Sequence, residues 1–178
     1  MGEIRTPKKV KFILGVISSK ADLFPEVESE SKKNFGPIDF KTSLITFDFT
    51  DYYTKSMGTS LKRQFFSFDK LMLPDNFAET KIWSNKLEEK LAKKYSRPDI
   101  ARPVNIDPGY VDAAKLVLAS TKDYSHRIYL KKGIYAEITL RYQHGAFGFW
   151  EWTYPDYQSA EYLKFFTQAR NKYLSQIK

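Results

Sequence analysis

The order of strand and helix patterns along the first 106 residues constrains the fold more than any other feature of this chain. Residues 10–17 are apolar and rich in β-branched side chains, as in a strand buried on both faces. Residues 19–36 predict a helix that stops at Gly36. Strand patterns follow at 40–49 and 61–71, a helix begins near Pro74, and 102–106 form a short strand pattern. This βαββαβ order predicts a ferredoxin-like unit with both helices on one face of an antiparallel sheet.

The remaining residues, 107–178, predict a strand-rich extension that ends in a helix. Four strand patterns occur there, KLVLAS, HRIYL, IYAEITLRY and FGFWEW. Tyr162, Phe166, Ala169 and Tyr173 then share one face of a C-terminal helix, which predicts packing against the sheet. Since no repeat or low-complexity linker separates the halves, we predict a single α+β domain over 1–178. It comprises a ferredoxin-like unit (1–106) and an extension of the mainly antiparallel sheet (107–178).

Composition limits the classes of function. The net charge of +8 favours anionic partners such as a small nucleotide or RNA. The sequence has no cysteine, which excludes disulfides, thiolate metal sites and a cysteine nucleophile and fits a cytoplasmic protein. No apolar run approaches the roughly 20 residues needed to cross a bilayer, so we expect no membrane association. The sequence also contains neither a phosphate-binding G-x-x-x-x-G-K-[ST] loop nor a G-x-S-x-G nucleophile motif.

The segment HRIYLKKGIYAEITL predicts a hairpin of definite register. A three-residue loop, 131–133, would place Gly133 in the left-handed conformation that such a loop requires. Arg127 then lies opposite Glu137, and His126 shares the apolar face with Ile128. On an exposed face the ion pair would contribute about 0.2–1 kcal/mol. In a cleft it would hold the guanidinium rigid for a phosphate or carboxylate, and both alternatives remain open.

Basic and hydroxyl side chains are concentrated around this hairpin. The candidate ligand-binding residues are Lys115, Ser120, Thr121, Lys122 and Arg127, with Arg141 nearby. Such a cluster suits an oxyanion such as phosphate. The alternative is a solvated charged edge that protects the strands from pairing with another chain.

Three residues are candidates for proton transfer. Asp107 lies in NIDPGY, where Pro108 and Gly109 predict a turn with a positive φ at the glycine. Glu137 and Asp123 could orient His126, although the hairpin register favours a partly buried, structural histidine. A Mg²⁺ site is a further alternative, using Asp107 and Glu137 together with the carboxylates of Asp48 and Asp51.

Several blocks resemble one known family. LITFDFTDYYTKSMGTSLKRQFFSF, NIDPGY, KLVLASTKDYSHRIYL and GIYAEITL together are similar to domain of unknown function 4416, small prokaryotic proteins of about this length. The resemblance spans nearly the whole chain and implies no particular activity. The matching positions within the polar segments are Asp48, Asp51, Tyr52, Tyr53, Met57, Gly58, Arg63, Asn105, Asp107, Gly109, Tyr110, Lys115, Ser120, Thr121, Lys122, His126, Arg127, Tyr129 and Glu137. These positions add Tyr110 and Tyr129 to the ligand-binding candidates.

Three hypotheses of function follow. The first is a module that binds a phosphate-bearing ligand, a nucleotide or an RNA element, at the basic cluster. The second is a phosphotransfer or hydrolytic enzyme for such a ligand, using Asp107, Glu137 or His126, with or without Mg²⁺. The third is a protein-interaction subunit that presents its aromatic side chains to a partner.

Overall fold

The protein is described by a computed structural model that covers residues 2–178. The strands are β1 Lys11–Ser18, β2 Ile38–Lys41, β3 Ile45–Thr46, β4 Lys62–Phe68, β5 Asn105–Val111, β6 Lys115–Ser120, β7 Ile128–Lys131, β8 Ile134–Gln143 and β9 Ala146–Phe149. The helices are α1 Leu23–Phe35, α2 Thr54–Met57, α3 Phe77–Tyr95 and α4 Ala160–Gln176. Among these residues, no helix combines the length and the apolar character needed to cross a membrane.

All nine strands of the described residues form one antiparallel sheet, in the order β2-β4-β1-β5-β6-β8-β7. The short strands β3 and β9 pair with β4 and β8. The mixed α and β architecture, the antiparallel sheet and the C-terminal helix are confirmed. The sheet is larger than a ferredoxin-like unit, and residue 106 lies inside β5. The ferredoxin-like assignment of 1–106 therefore stays a prediction.

The sheet carries a hydrophobic core on each face, because alternate side chains of its central strands point in opposite directions. Phe12, Leu14 and Val16 of β1 pack in the core that contains α1 and α3. Ile13, between them, belongs to the second core, where Phe166 of α4 packs. The terminal-helix residues Tyr162, Phe166, Ala169 and Tyr173 are all buried, as their spacing predicts.

The strand predicted over residues 40–49 is only partly a strand. It breaks into β2 and β3, with Thr42 between them. Thr42 Oγ1 accepts a hydrogen bond from the Phe65 amide of β4, and the Thr42 carbonyl accepts one from Gln64 Nε2. The chain then leaves the sheet after Thr46 and forms a short turn of helix at Asp51–Tyr53. As a result, residues 47–53 extend over the end of the sheet, where they help to enclose a cavity.

The turn predicted at NIDPGY is wrong. Asn105, Asp107, Pro108 and Gly109 all lie within β5, between β1 and β6. Gly109 is not among the positive-φ glycines. Its lack of a side chain serves close packing instead, because a Cβ there would lie 2.7 Å from Leu118 Cδ2 and 2.8 Å from the Val117 carbonyl oxygen. Sequence preference for a turn is overridden here by tertiary pairing.

The β7–β8 hairpin confirms the predicted register and corrects the loop. Ile128 pairs with Ala136 and Tyr129 with Tyr135, as predicted. The loop itself has two residues, Lys132 and Gly133, both with positive φ, and the ladder shifts between Tyr129 and Lys131. A two-residue turn combined with an irregular strand thus reproduces the register expected of a three-residue loop.

Burial in the hairpin follows the apolar pattern only in part. On the apolar face Ile134 is buried. Ile128 on the apolar face is 72% exposed, because β7 forms the edge of the sheet. Glu137 and Thr139 on the polar face are buried. The side chains of Glu137 and Thr139 therefore point into the molecule, which places Glu137 in contact with the candidate site.

Candidate functional site

A cavity of about 550 Å³ opens at one end of the central strands. Arg63 of β4 lines it on the same face as Phe65, which packs beneath α4. Asp107 of β5 and the end of β6 contribute further lining residues. Segment 47–53 and segment 154–157 complete the enclosure. The cavity is thus built from parts of the chain that are distant in sequence.

Arg63 lies at the floor of the cavity and is only 2% exposed. Its Nη1 donates to Asp107 Oδ2 at 3.3 Å, and its Nη2 donates to Asp156 Oδ2 at 3.2 Å. The guanidinium also contacts four aromatic rings, those of Phe47, Phe65, Tyr157 and Tyr162, at 5.2–5.9 Å from their centroids. A buried cation thus holds two carboxylates from distant segments in one place.

Gly15 of β1 makes room for this arginine. A Cβ at Gly15 would lie 2.7 Å from Arg63 Nη1 and 2.9 Å from Phe65 Cε1. β1 therefore needs a residue without a side chain at this position, so that the guanidinium can lie across the sheet. Asp107 is paired with Gly15 in the ladder, so its carboxylate lies beside the same gap.

The two carboxylates on Arg63 have pKa values that are shifted in opposite directions. Burial would raise the pKa of Asp107, but the positive charges of Lys81, Arg63 and Arg102 outweigh it and hold this pKa below its usual value. Burial dominates at Asp156 and raises the pKa of that carboxyl despite its contact with Arg63. Asp107 is therefore firmly ionised, whereas Asp156 takes up a proton more readily.

Three buried polar atoms near this centre have no hydrogen-bond partner among the described residues. They are Arg63 Nε, the Tyr157 hydroxyl and the Tyr162 hydroxyl. Tyr157 lines the cavity, whereas Tyr162 packs behind it in the core. Burial raises the pKa of Tyr162 to about 12, and it also raises the pKa of Tyr157, so both hydroxyls remain protonated donors.

The ion pair between Arg127 and Glu137 forms one wall of the cavity and confirms the pairing predicted from the hairpin. Arg127 Nε donates to Glu137 Oε2 at 2.7 Å. Their side chains are 3% and 2% exposed, so the alternative of a solvated surface pair is wrong. Arg127 also donates to Ser120 Oγ, to the Lys122 carbonyl and to the Tyr154 hydroxyl. Four of its five N–H donors are thereby engaged within the protein.

His126 does not lie on the apolar face that the register predicts, because it precedes β7 and the strand alternation does not apply to it. Its Nε2 lies 3.1 Å from Glu137 Oε2, and its ring stacks on Trp152 with centroids 5.2 Å apart. Trp152 stacks in turn on Trp150, which packs against the Arg141 guanidinium. His126 is thus partly buried in an aromatic stack behind Glu137, outside the cavity lining.

The cavity mouth carries partly exposed cations and exposed aromatic rings. Lys122 Nζ contacts the Tyr52 hydroxyl at 3.1 Å and lies 4.7 Å from the centre of that ring, linking opposite sides of the opening. Arg102 bonds to Glu88 and Asn105 through Nη2. Tyr52 is 64% and Tyr124 48% exposed, and both line the cavity.

The structure separates the predicted residues into two sets. Ser120, Thr121, Lys122, Arg127, Asp107 and Glu137 line the cavity. Lys115 lies at the other end of β6 and pairs with Asp112. Tyr110 packs between Phe12 and Phe77 in the core. Tyr129 is exposed at the edge strand. These three side chains are not part of the cavity lining.

Three further charged residues of the cavity carry no sequence signal of their own: Lys81, Arg102 and Asp156. Lys81 is on α3, and its Nζ donates to the Ile106 carbonyl and lies 3.8 Å from Asp107 Oδ1. Asp156 belongs to YPDY, which by sequence precedes the last helix and gives no reason to single out this carboxylate. Contacts across the fold assemble these residues, and residue spacing does not reveal them.

The carboxylates considered for Mg²⁺ are not gathered. Asp107 and Glu137 line the cavity, whereas Asp48 and Asp51 do not. Within residues 2–178, no three His, Cys, Asp or Glu side chains are grouped as metal ligands would be. The geometry therefore gives no support to the predicted metal site.

A family model described as Domain of unknown function (DUF4416) matches residues 8–173. Since the match covers nearly all of the 178 residues, the chain belongs to this family. No curated protein and no solved structure matches it significantly.

Proposed function

We propose that this DUF4416 protein binds a phosphate-bearing small ligand in the cavity, with a nucleotide as the first candidate. The observation that carries the proposal is the charge of the lining. Five lining residues are cationic, Arg63, Lys81, Arg102, Lys122 and Arg127, against three carboxylates, Asp107, Glu137 and Asp156. The enclosed surface thus has an excess of two positive charges, which favours an anion.

Two of these cations retain donors for a ligand. Only Nη2 of Arg102 is engaged, so Nε and Nη1 have no partner among the described residues. Lys122 Nζ has one hydrogen bond, to Tyr52, and an ammonium group can donate three. The backbone amide of Lys122 is bound to Ser120 Oγ, which keeps this turn in place. A phosphate between Arg102 and Lys122 would satisfy both.

The size and the aromatic lining favour a nucleotide over an RNA element. A volume of about 550 Å³ lies within the usual range for a small-molecule site. Phe49, Tyr52, Tyr124 and Tyr154 line the cavity and are all partly exposed. A nucleobase could stack on such a ring while the phosphate reaches the cations.

Thermal unfolding with a panel of nucleoside monophosphates and triphosphates tests this proposal. At a hundredfold excess over Kd, a true ligand should raise Tm by about 5–10 °C. Lys122→Ala should reduce that shift. Lys115→Ala is the matched control, since Lys115 begins β6, the strand that ends two residues before Lys122, lies outside the cavity lining and should leave the shift intact.

Two results would contradict the proposal. One is a panel in which no nucleotide changes Tm. The other is an equal loss of the shift in both lysine variants, which would indicate a general charge effect. Binding of RNA alone, with an affinity that falls steeply as salt rises, would assign the basic surface to RNA.

A second candidate function, a hydrolytic or phosphotransfer enzyme, is favoured by the opposite pKa shifts of Asp107 and Asp156. An ionised carboxylate beside one that takes up a proton more readily is the kind of pairing that acid–base catalysis uses. Glu137 is less suited to proton transfer, because its carboxylate oxygens already contact Arg127, His126 and Thr139. Release of inorganic phosphate from a bound nucleotide, lost in Asp156→Asn with binding retained, would support the enzyme.

We also propose two finer assignments. The antiparallel order β2-β4-β1-β5, with α1 and α3 in one core, supports a ferredoxin-like arrangement for residues 1–106. The cysteine-free composition supports a cytoplasmic location. Fractionation of the native cells would test the second assignment directly.

A further inference from the structure

We propose that the ligand is a phosphorylated sugar, free or within a nucleotide, whose sugar hydroxyls reach Asp107, Asp156 and Tyr157 at the cavity floor while its phosphate stays near the mouth. This inference rests on the proposed function and adds to it the class of the ligand and the direction in which it lies.

The charges of the cavity are distributed unevenly. The floor group consists of Arg63, Lys81, Asp107 and Asp156, two cations and two carboxylates in mutual contact. The outer group consists of the other charged lining residues, Arg102, Lys122, Arg127 and Glu137, three cations and one carboxylate. All of the excess positive charge therefore belongs to the outer group. A phosphate would meet two carboxylates at the floor, so it is held at the outer group instead.

The floor group suits neutral hydrogen-bond donors. Carboxylate oxygens of Asp107 and Asp156 accept hydrogen bonds, and the Asp107 side chain is 26% exposed, facing the open space. A cationic amine would be repelled by Arg63 and Lys81, which already balance these carboxylates. Hydroxyl groups carry no charge and meet no such repulsion. Pairs of adjacent hydroxyls on a sugar match carboxylate acceptors well.

The Tyr157 hydroxyl supplies an independent observation. Tyr157 lines the cavity and is 3% exposed, and its hydroxyl oxygen is closed to solvent and has no partner among the described residues. A buried hydroxyl without a partner is unfavourable, so a ligand oxygen that accepts its hydrogen bond would be stabilised. A sugar hydroxyl can accept from Tyr157 and donate to Asp156 at the same time.

Calorimetric titration of the full chain with inorganic phosphate, ribose 5-phosphate and adenosine monophosphate tests the inference. Ribose 5-phosphate should bind about tenfold more tightly than inorganic phosphate, because only the sugar reaches the floor group. Adenosine monophosphate distinguishes the two sources. Tighter binding than ribose 5-phosphate indicates a nucleotide, and equal binding indicates a free sugar phosphate. Both results support the inference.

Tyr157→Phe removes the unpartnered hydroxyl of this lining residue, and Tyr162→Phe is its matched control. The Tyr162 hydroxyl is also buried and unpartnered beside Arg63, but Tyr162 does not line the cavity. Tyr157→Phe should weaken binding of ribose 5-phosphate by about 2- to 10-fold and leave inorganic phosphate unchanged. Tyr162→Phe should alter neither. Since neither hydroxyl has a partner to lose, both variants should fold.

The outcomes separate this inference from the proposed function. Equal affinity for inorganic phosphate and ribose 5-phosphate, or equal behaviour of the two tyrosine variants, would overturn the floor assignment and leave phosphate binding standing. If none of the three probes binds, the proposed phosphate binding is contradicted, and so is the floor assignment that rests on it.

Discussion

The side chains of Arg127 and Arg63 are both buried and paired with carboxylates at the same cavity, yet their surroundings differ. Arg127 donates four hydrogen bonds to partners from 120 to 154. Arg63 donates two long ones, keeps an unpartnered Nε, and is otherwise surrounded by aromatic rings. The difference indicates that Arg127 has a structural role in the cavity wall. The centre around Arg63 retains polar groups without hydrogen-bond partners and has capacity for a ligand.

The same contrast explains what the sequence could predict. Glu137 lies ten residues from Arg127 in one hairpin, so strand alternation and the Gly133 turn were sufficient to pair them. Asp107 and Asp156 lie 44 and 93 residues from Arg63. No periodicity in the sequence connects such positions, because the sheet order that unites them is set by the packing of the whole chain.

The prediction that failed most clearly, the NIDPGY turn, has a related cause. Pro-Gly favours a turn locally, but β5 is enclosed by β1 and β6, and the contacts of a central strand outweigh that preference. The strands and helices were largely predictable, since each carries its own apolar pattern. The partners of a residue across the fold were not.

Removal of the Arg63 charge is expected to have the largest effect. Arg63→Met leaves two carboxylates buried without their common partner, so the free energy of unfolding should fall by about 3–5 kcal/mol. Urea unfolding monitored by circular dichroism measures this change. Arg5→Met is the control, because Arg5 is exposed and should change stability by less than about 0.5 kcal/mol. A small loss of stability in Arg63→Met would show that the two carboxylates do not depend on Arg63, and would contradict the contrast drawn with Arg127.

Loss of the Glu137 charge should have a smaller effect. Glu137→Gln preserves the shape of the side chain and one acceptor, while Arg127 keeps its bonds to Ser120, Lys122 and Tyr154. We expect the free energy of unfolding to fall by about 1.5–3 kcal/mol. Glu79→Gln is a matched control in contact with the same hairpin, since its ion pairs are partly exposed and should contribute little to stability. Equal effects of the two substitutions would show that burial of the Arg127 pair is unimportant.

The smallest expected effect is an opposite pH dependence for the two floor carboxylates. In the folded protein the pKa of Asp107 is lowered, so its contribution is present above its unfolded pKa of about 3.9 and is lost as the pH falls through the folded pKa. The pKa of Asp156 is raised by burial, so its contribution is present below about pH 3.9 and is lost as the pH rises through the folded pKa.

Urea unfolding at a series of pH values should therefore distinguish two variants. Asp156→Asn should remove part of the stability loss that wild type shows above about pH 4. The free energy of unfolding of Asp107→Asn should instead lie below that of wild type at neutral pH and approach it in acid. Parallel pH profiles for both variants would contradict the opposite pKa shifts of the two carboxylates.

The stacked rings of His126, Trp152 and Trp150 have a practical consequence. The sequence contains three tryptophans, and two of them belong to this stack, which is joined to the cavity wall through His126, Glu137 and Arg127. A molecule that shifts Arg127 on binding would alter the surroundings of both indoles, whereas Trp83 packs in the opposite core. Intrinsic fluorescence can then record occupancy without an attached dye, and Trp83→Phe would isolate that optical signal.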